Sequence, residues 1–188
     1  MARLFSWKPG LTYRGRKFKG LRGWAGKPTH PPLTDIPVAA YIMAAVFDSV
    51  SFFVGEGEQL VHDMFRASTY VIVAGAIVSV PTAATGFWDW LKSTSPGTQA
   101  WRTANAHMAA MITVTLIVVV DIIIRIGQWD DAAASGIVFS LSVIAALLVS
   151  IGAMYGGSLV YDYGFNVETA GDSPVWHESD VDVLPGEK

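Results

Sequence analysis

Residues 107–126 read HMAAMITVTLIVVVDIIIRI, twenty positions in which only Asp121 and Arg125 carry a full charge at neutral pH. As a helix rising about 1.5 Å per residue, the stretch is about 30 Å long, the thickness of a bilayer's hydrocarbon core. Three other segments, 36–54, 68–88 and 136–159, have similar length and apolar character. Four such segments in 188 residues, with 52% hydrophobic and 15% charged residues, are the composition of a membrane protein rather than a soluble domain. The expected fold is an all-α integral membrane four-helix bundle over residues 30–163. A basic N-terminal tail (1–29) and an acidic C-terminal tail (164–188) flank it.

Outward from the spans, charge predicts orientation. The first 29 residues hold eight Lys and Arg and no acid, and the link between the second and third spans adds Lys92 and Arg102. The link between the first two carries Glu56, Glu58 and Asp63. Positive-inside bias then predicts a multi-pass protein of the cytoplasmic (inner) membrane with both termini in the cytoplasm. The tail is too long and basic for a signal peptide, and no cleavage-like site follows it, so it is expected to stay attached. Its Trp7, Arg14, Arg16, Lys17, Lys19, Arg22 and Trp24 combine cations with aromatic rings, a surface suited to anionic lipid or a protein partner. Nucleic acid is the less favoured partner, because basic clusters beside a membrane helix serve topology and lipid.

Within the spans, small residues mark close-packing faces: Gly75-xxx-Ser79 in the second and Gly152-xxx-Gly156 in the fourth. Pro81 is expected to kink the second span and free the carbonyl of Ile77 for Ser79, Thr82, Thr85 or water. Charged residues at membrane depth need a reason. Asp48, Arg66, Asp121 and Arg125 fall at one level near the outer end, and Asp121 and Arg125 have the i, i+4 spacing that lets them meet. A static, mutually neutralising cluster is the favoured reading, with ion or proton movement as the alternative. At the opposite, inner end lie His30, Asp89, Asn105, His107, Tyr161, Asp162 and Tyr163. His30 and His107 belong to different helices and are candidates for bis-imidazole ligation of a haem b. An ordinary hydrogen-bonding role for both is the favoured reading, with ligation of a haem or a shared metal as the alternative. His62 and His177 do not join them, which disfavours a second haem.

Other chemistry lacks its residues. There is no cysteine, hence no disulfide, thiolate or cysteine-ligated cluster. No nucleophile with a base, phosphate-cradling Gly loop or zinc-ligand spacing is present, so neither catalytic nor metal-site residues are assigned, and an enzyme is the less favoured reading.

The run Gly26-Lys27-Pro28-Thr29-His30-Pro31-Pro32-Leu33-Thr34-Asp35-Ile36-Pro37 resembles the opening motif of the four-helix membrane family DUF2231, Gly-His-Pro-x-His-Pro-x-Leu-x-x-x-Pro. The resemblance continues through Phe47-Asp48, Gly86-Phe87-Trp88-Asp89-Trp90-Leu91, His107 and Gly156-Gly157-Ser158-Leu159-Val160-Tyr161, over about 26–167. Lys27 replaces the family's first motif histidine, and Tyr163-Gly164 stands where His-Gly is common. The family's occurrence with Rieske-type proteins implies a setting in electron transport. The missing histidines shift the expectation from an autonomous redox carrier toward a non-catalytic accessory or scaffolding subunit of a membrane complex, with respiratory electron transfer the setting that the resemblance implies. A small b-type haem protein and an ion or proton transporter remain the alternatives.

Overall fold

The computed structural model describes residues 20–23, 27–54, 57 and 59–167. They form four helices: α1 (His30–Val54), α2 (Gln59–Ser93), α3 (Gln99–Gly127) and α4 (Gly136–Tyr161). Each is long and apolar enough to cross a membrane. The helices overrun the expected spans, α2 most of all. At 35 residues it is about 52 Å long and extends beyond a hydrocarbon core of about 30 Å.

Helix ends are set locally. Thr98 accepts from Trp101 N and Ser135 from Val138 N, so a hydroxyl caps the start of α3 and of α4. Pro31 and Pro32 occupy the first turn of α1, where a missing N–H costs nothing. Pro37 lies deeper in α1 and leaves the carbonyl of Leu33 without its usual donor; the hydroxyl of Thr82 in α2 donates to it at 3.2 Å. α2 continues through Pro81 to Ser93. Of the hydroxyls expected at Ile77, Ser79 pairs with the Tyr41 hydroxyl (2.7 Å), Thr82 also donates to Val78 O, and Thr85 donates to Pro81 O and Thr82 O.

Neighbours in sequence are neighbours in space, and α4 closes the ring on α1. α1 and α3 lie diagonally across the bundle and do not pack on each other, nor do α2 and α4. The two small-residue faces therefore serve different partners. A Cβ added to Gly75 would lie 2.7 Å from Ala40 Cβ on α1, and one added to Gly152 would meet the Met111 side chain on α3. The central layer is apolar: Ala40, Tyr41 and Ala44 from α1, Ile72 from α2, Val114 and Val118 from α3, Ala145 and Val149 from α4.

The outside is apolar as well. Ile77, Val80, Leu116, Ile126 and Met154 are each at least 63% exposed, whereas Asp48, Asp121 and Arg125 are fully buried. Large apolar side chains facing outward over buried charges reverse the pattern of a water-soluble bundle and suit a hydrocarbon solvent.

Candidate functional site: two polar layers across the bundle diagonal

Polar side chains from α1 and α3 meet at both ends of the bundle, although the helices themselves stand apart. His30 and Asp48 are separated by about 27 Å along α1, and His107 and Asp121 by about 21 Å along α3, so the two layers are at opposite ends.

In the first layer, Arg125 lies between two carboxylates. Its Nε donates to Asp121 Oδ1 (3.0 Å) and its Nη2 to Asp121 Oδ2 (3.0 Å). Nη1 donates to Asp48 Oδ1 (3.1 Å), and Nη2 is also paired with Asp48 Oδ2. Nη1 further donates to Ser68 Oγ (3.1 Å), with Thr69 Oγ1 at 3.5 Å, and the guanidinium faces the Phe65 ring. All five N–H donors of the guanidinium thus have acceptors, and α1, α2 and α3 are joined through one side chain. Asp121 and Arg125 meet as their spacing predicts, and Asp48 reaches them from across the diagonal. Arg66, expected in the same cluster, is not part of it. The buried stripe of α2 is Val61, Phe65, Ser68, Thr69, Ile72 and Gly75; Arg66 is about 100° of helix rotation from Phe65 and turns to Trp129 instead. The grouping of four charges is corrected to two acids and one base.

In the second layer, His30 and His107 face each other with ring centres 6.4 Å apart and planes at 77°. His30 Nδ1 is 2.9 Å from the carbonyl of Thr82 on α2, and His107 Nδ1 is 2.8 Å from the carbonyl of Gly152 on α4. A carbonyl only accepts, so each Nδ1 carries a proton, and in the neutral ring Nε2 keeps its lone pair. Neither Nε2 has a hydrogen-bond partner among the described residues. Glycines make room for the rings: a Cβ at Gly86 would lie 2.6 Å from His30 Cε1, and one at Gly156 would lie 3.2 Å from His107 Cε1.

Asp89 is buried within electrostatic reach of His30 and accepts the amide of Leu21 (2.9 Å). The segment before α1 is folded back there. Gly23 N donates to Lys27 O (2.7 Å), Thr29 N to Leu21 O (3.2 Å), and Arg22 bridges to Pro28. Asn105 is part of the same end, accepting from Trp90 Nε1 (2.8 Å). Tyr161, expected beside Asp89 and Asn105, is 87% exposed on the far side of α4 from buried Leu159 and does not join them. Trp7, Arg14, Arg16, Lys17, Lys19 and Trp24 lie outside the described residues, as does His177.

Sequence reasoning missed Ser68 and Thr69, the polar lining of the guanidinium, and the Thr82 and Gly152 carbonyls that orient the imidazoles. A carbonyl has no sequence signature. The glycines did carry a signal, because Gly86 and Gly156 are in segments that resemble the family's motifs.

An apolar-surfaced four-helix bundle with charge buried inside defines a membrane protein with four candidate spans. Residues 26–169 match DUF2231, described as predicted membrane protein, and the chain belongs to that family. No curated protein and no solved structure shows significant similarity to it.

Proposed function

We propose that this chain is a small intramembrane electron-transfer subunit whose working site is the His30–His107 pair, holding one redox-active metal centre. The observation that carries the reading is the state of the two rings. Each donates Nδ1–H to a main-chain carbonyl of a neighbouring helix and keeps Nε2 unbonded, the arrangement that fixes a metal-ligating histidine. Their separation suits a shared centre. With a metal–nitrogen bond of about 2.0–2.1 Å, ring centres 6.4 Å apart are close enough for His30 and His107 to hold one metal between them.

Ligand number narrows the metal. Among the described residues no group of three or more His, Cys, Asp or Glu is placed to hold an ion. A two-imidazole set does not suit zinc's preferred four protein ligands. It does suit haem iron, whose remaining ligands come from the porphyrin, and it suits copper in its low-coordinate reduced state. Either supplies one-electron chemistry when bound. The residues' own part is to hold two imidazoles at a fixed tautomer and spacing in a largely apolar bundle.

Two features weigh against the transport alternative. The charges at the opposite end satisfy one another, and the layer from Ala44 to Val149 between the two ends is apolar. The accessory role is compatible with the electron carrier, because such a subunit works beside a donor and an acceptor, with the basic tail and the cytoplasmic orientation of both termini serving that docking.

Purification from cells supplied with iron and copper, followed by absorption spectroscopy and elemental analysis, tests the reading. The expected result is about one equivalent of haem with a Soret band, or one of copper without it. His30→Ala and His107→Ala should each lose it while keeping helical circular dichroism. A wild-type preparation that is folded but colourless and free of both metals removes the proposal.

A further inference from the structure

The two arginines on the ion-pair side of the bundle are treated in opposite ways. All the donors of Arg125 have protein acceptors, whereas Arg66 has no hydrogen bond and no ion pair with any described residue. Its Nε is nevertheless buried and without a partner. Asp63, three residues earlier and well placed by helix geometry, takes the side-chain amide of Gln59 instead (2.8 Å). One face of the Arg66 guanidinium is covered by the Trp129 ring, 5.2 Å from Cζ, and Tyr70 packs edge-on against that ring at 5.6 Å. The stack fixes the plane of the cation and leaves its N–H edge unspent.

From this we infer that Arg66, backed by Trp129 and Tyr70, is a binding site for the phosphate of a membrane phospholipid. A half-buried guanidinium without an acceptor is costly, and its planar fork matches a phosphate's oxygens. Location selects the lipid over a dissolved anion. Arg66 is two residues before the start of the expected span, Tyr70 is 62% exposed on the lipid-facing side of α2, and Trp and Tyr concentrate at the headgroup level of bilayers. The site is independent of the histidine pair, which lies at the other end.

Native mass spectrometry of the detergent-solubilised protein titrated with phosphatidylglycerol provides the test, with inorganic phosphate as competitor. The wild type should hold one lipid molecule more tightly than the rest. Arg66→Gln should weaken that step about tenfold, the worth of a charge-assisted hydrogen bond. Arg66→Lys keeps the charge without the fork and should fall between them. Equal retention by wild type and Arg66→Gln, with both folded by circular dichroism, overturns the inference. So does displacement of the lipid by millimolar phosphate, which would make this a soluble-anion site. If Arg66→Gln does not fold, the lysine variant decides: unchanged lipid affinity there also overturns it.

Discussion

Arg125→Gln should be the most destabilising single substitution in the bundle, costing about 3–5 kcal/mol, the range for breaking a buried ion pair from one side. The reason is stoichiometric. One guanidinium lies between two carboxylates, and all three are fully buried. Removing it leaves Asp48 and Asp121 facing each other with no cation between them. Asp48→Asn should be much milder, about 1–2 kcal/mol. It leaves Asp121 and Arg125 as a neutral pair, and the amide oxygen still accepts from the guanidinium, with one bond lost where the amide nitrogen meets a donor. Reversible unfolding in mixed micelles, followed by circular dichroism, measures both. If the two variants lose the same stability, charge balance is not what the layer provides.

Gly75→Val should cost about 1–3 kcal/mol or more by overpacking, while Gly152→Ala should cost less than about 1 kcal/mol. The shorter clash belongs to the milder change. An added Cβ at Gly152 would come 2.1 Å from Met111 Cε, but that methyl ends a flexible thioether chain that turns aside. At Gly75 the neighbours are Ala40 Cβ at 2.7 Å and the Tyr41 ring at 3.0 Å. Ala40 has no rotamer with which to retreat, and Tyr41 is held by its hydrogen bond to Ser79. α1 and α2 must separate, and their interface is the most extensive in the bundle. Micelle unfolding of the two variants should rank them in that order; the reverse ranking would mean that α3 and α4 are the tighter pair.

Depth was legible in the sequence and azimuth was not. Counting residues from the ends of the apolar runs placed Asp48, Asp121 and Arg125 at one level, where they meet. The same count placed Arg66 there too, but which way a residue faces depends on the helix's buried stripe. In a soluble helix, polar residues mark the opposite face. Here lipid and interior both accept apolar residues, so the stripe on α2 that excludes Arg66 leaves little trace in the pattern. Tyr161 fails for the same reason, two residues beyond buried Leu159 on a helix that is apolar all round. The histidines were legible as a pair because His30 precedes the first expected apolar span and His107 opens the third, at the same end of the bundle. Their tautomers depend on the carbonyls of Thr82 and Gly152, which no side chain announces.

The ion pair between Asp48 and Arg125 also has a consequence for biosynthesis, because its partners are 77 positions apart. The ribosome delivers α1 and α2 first, and the hairpin enters the membrane with Asp48 still lacking its cation. Neutrality arrives only with the far end of α3. A chain truncated before that point exposes a carboxylate to lipid or to the insertion machinery, whereas a finished chain hides it. The contact that holds three helices together can therefore form only after the far end of α3 has been made.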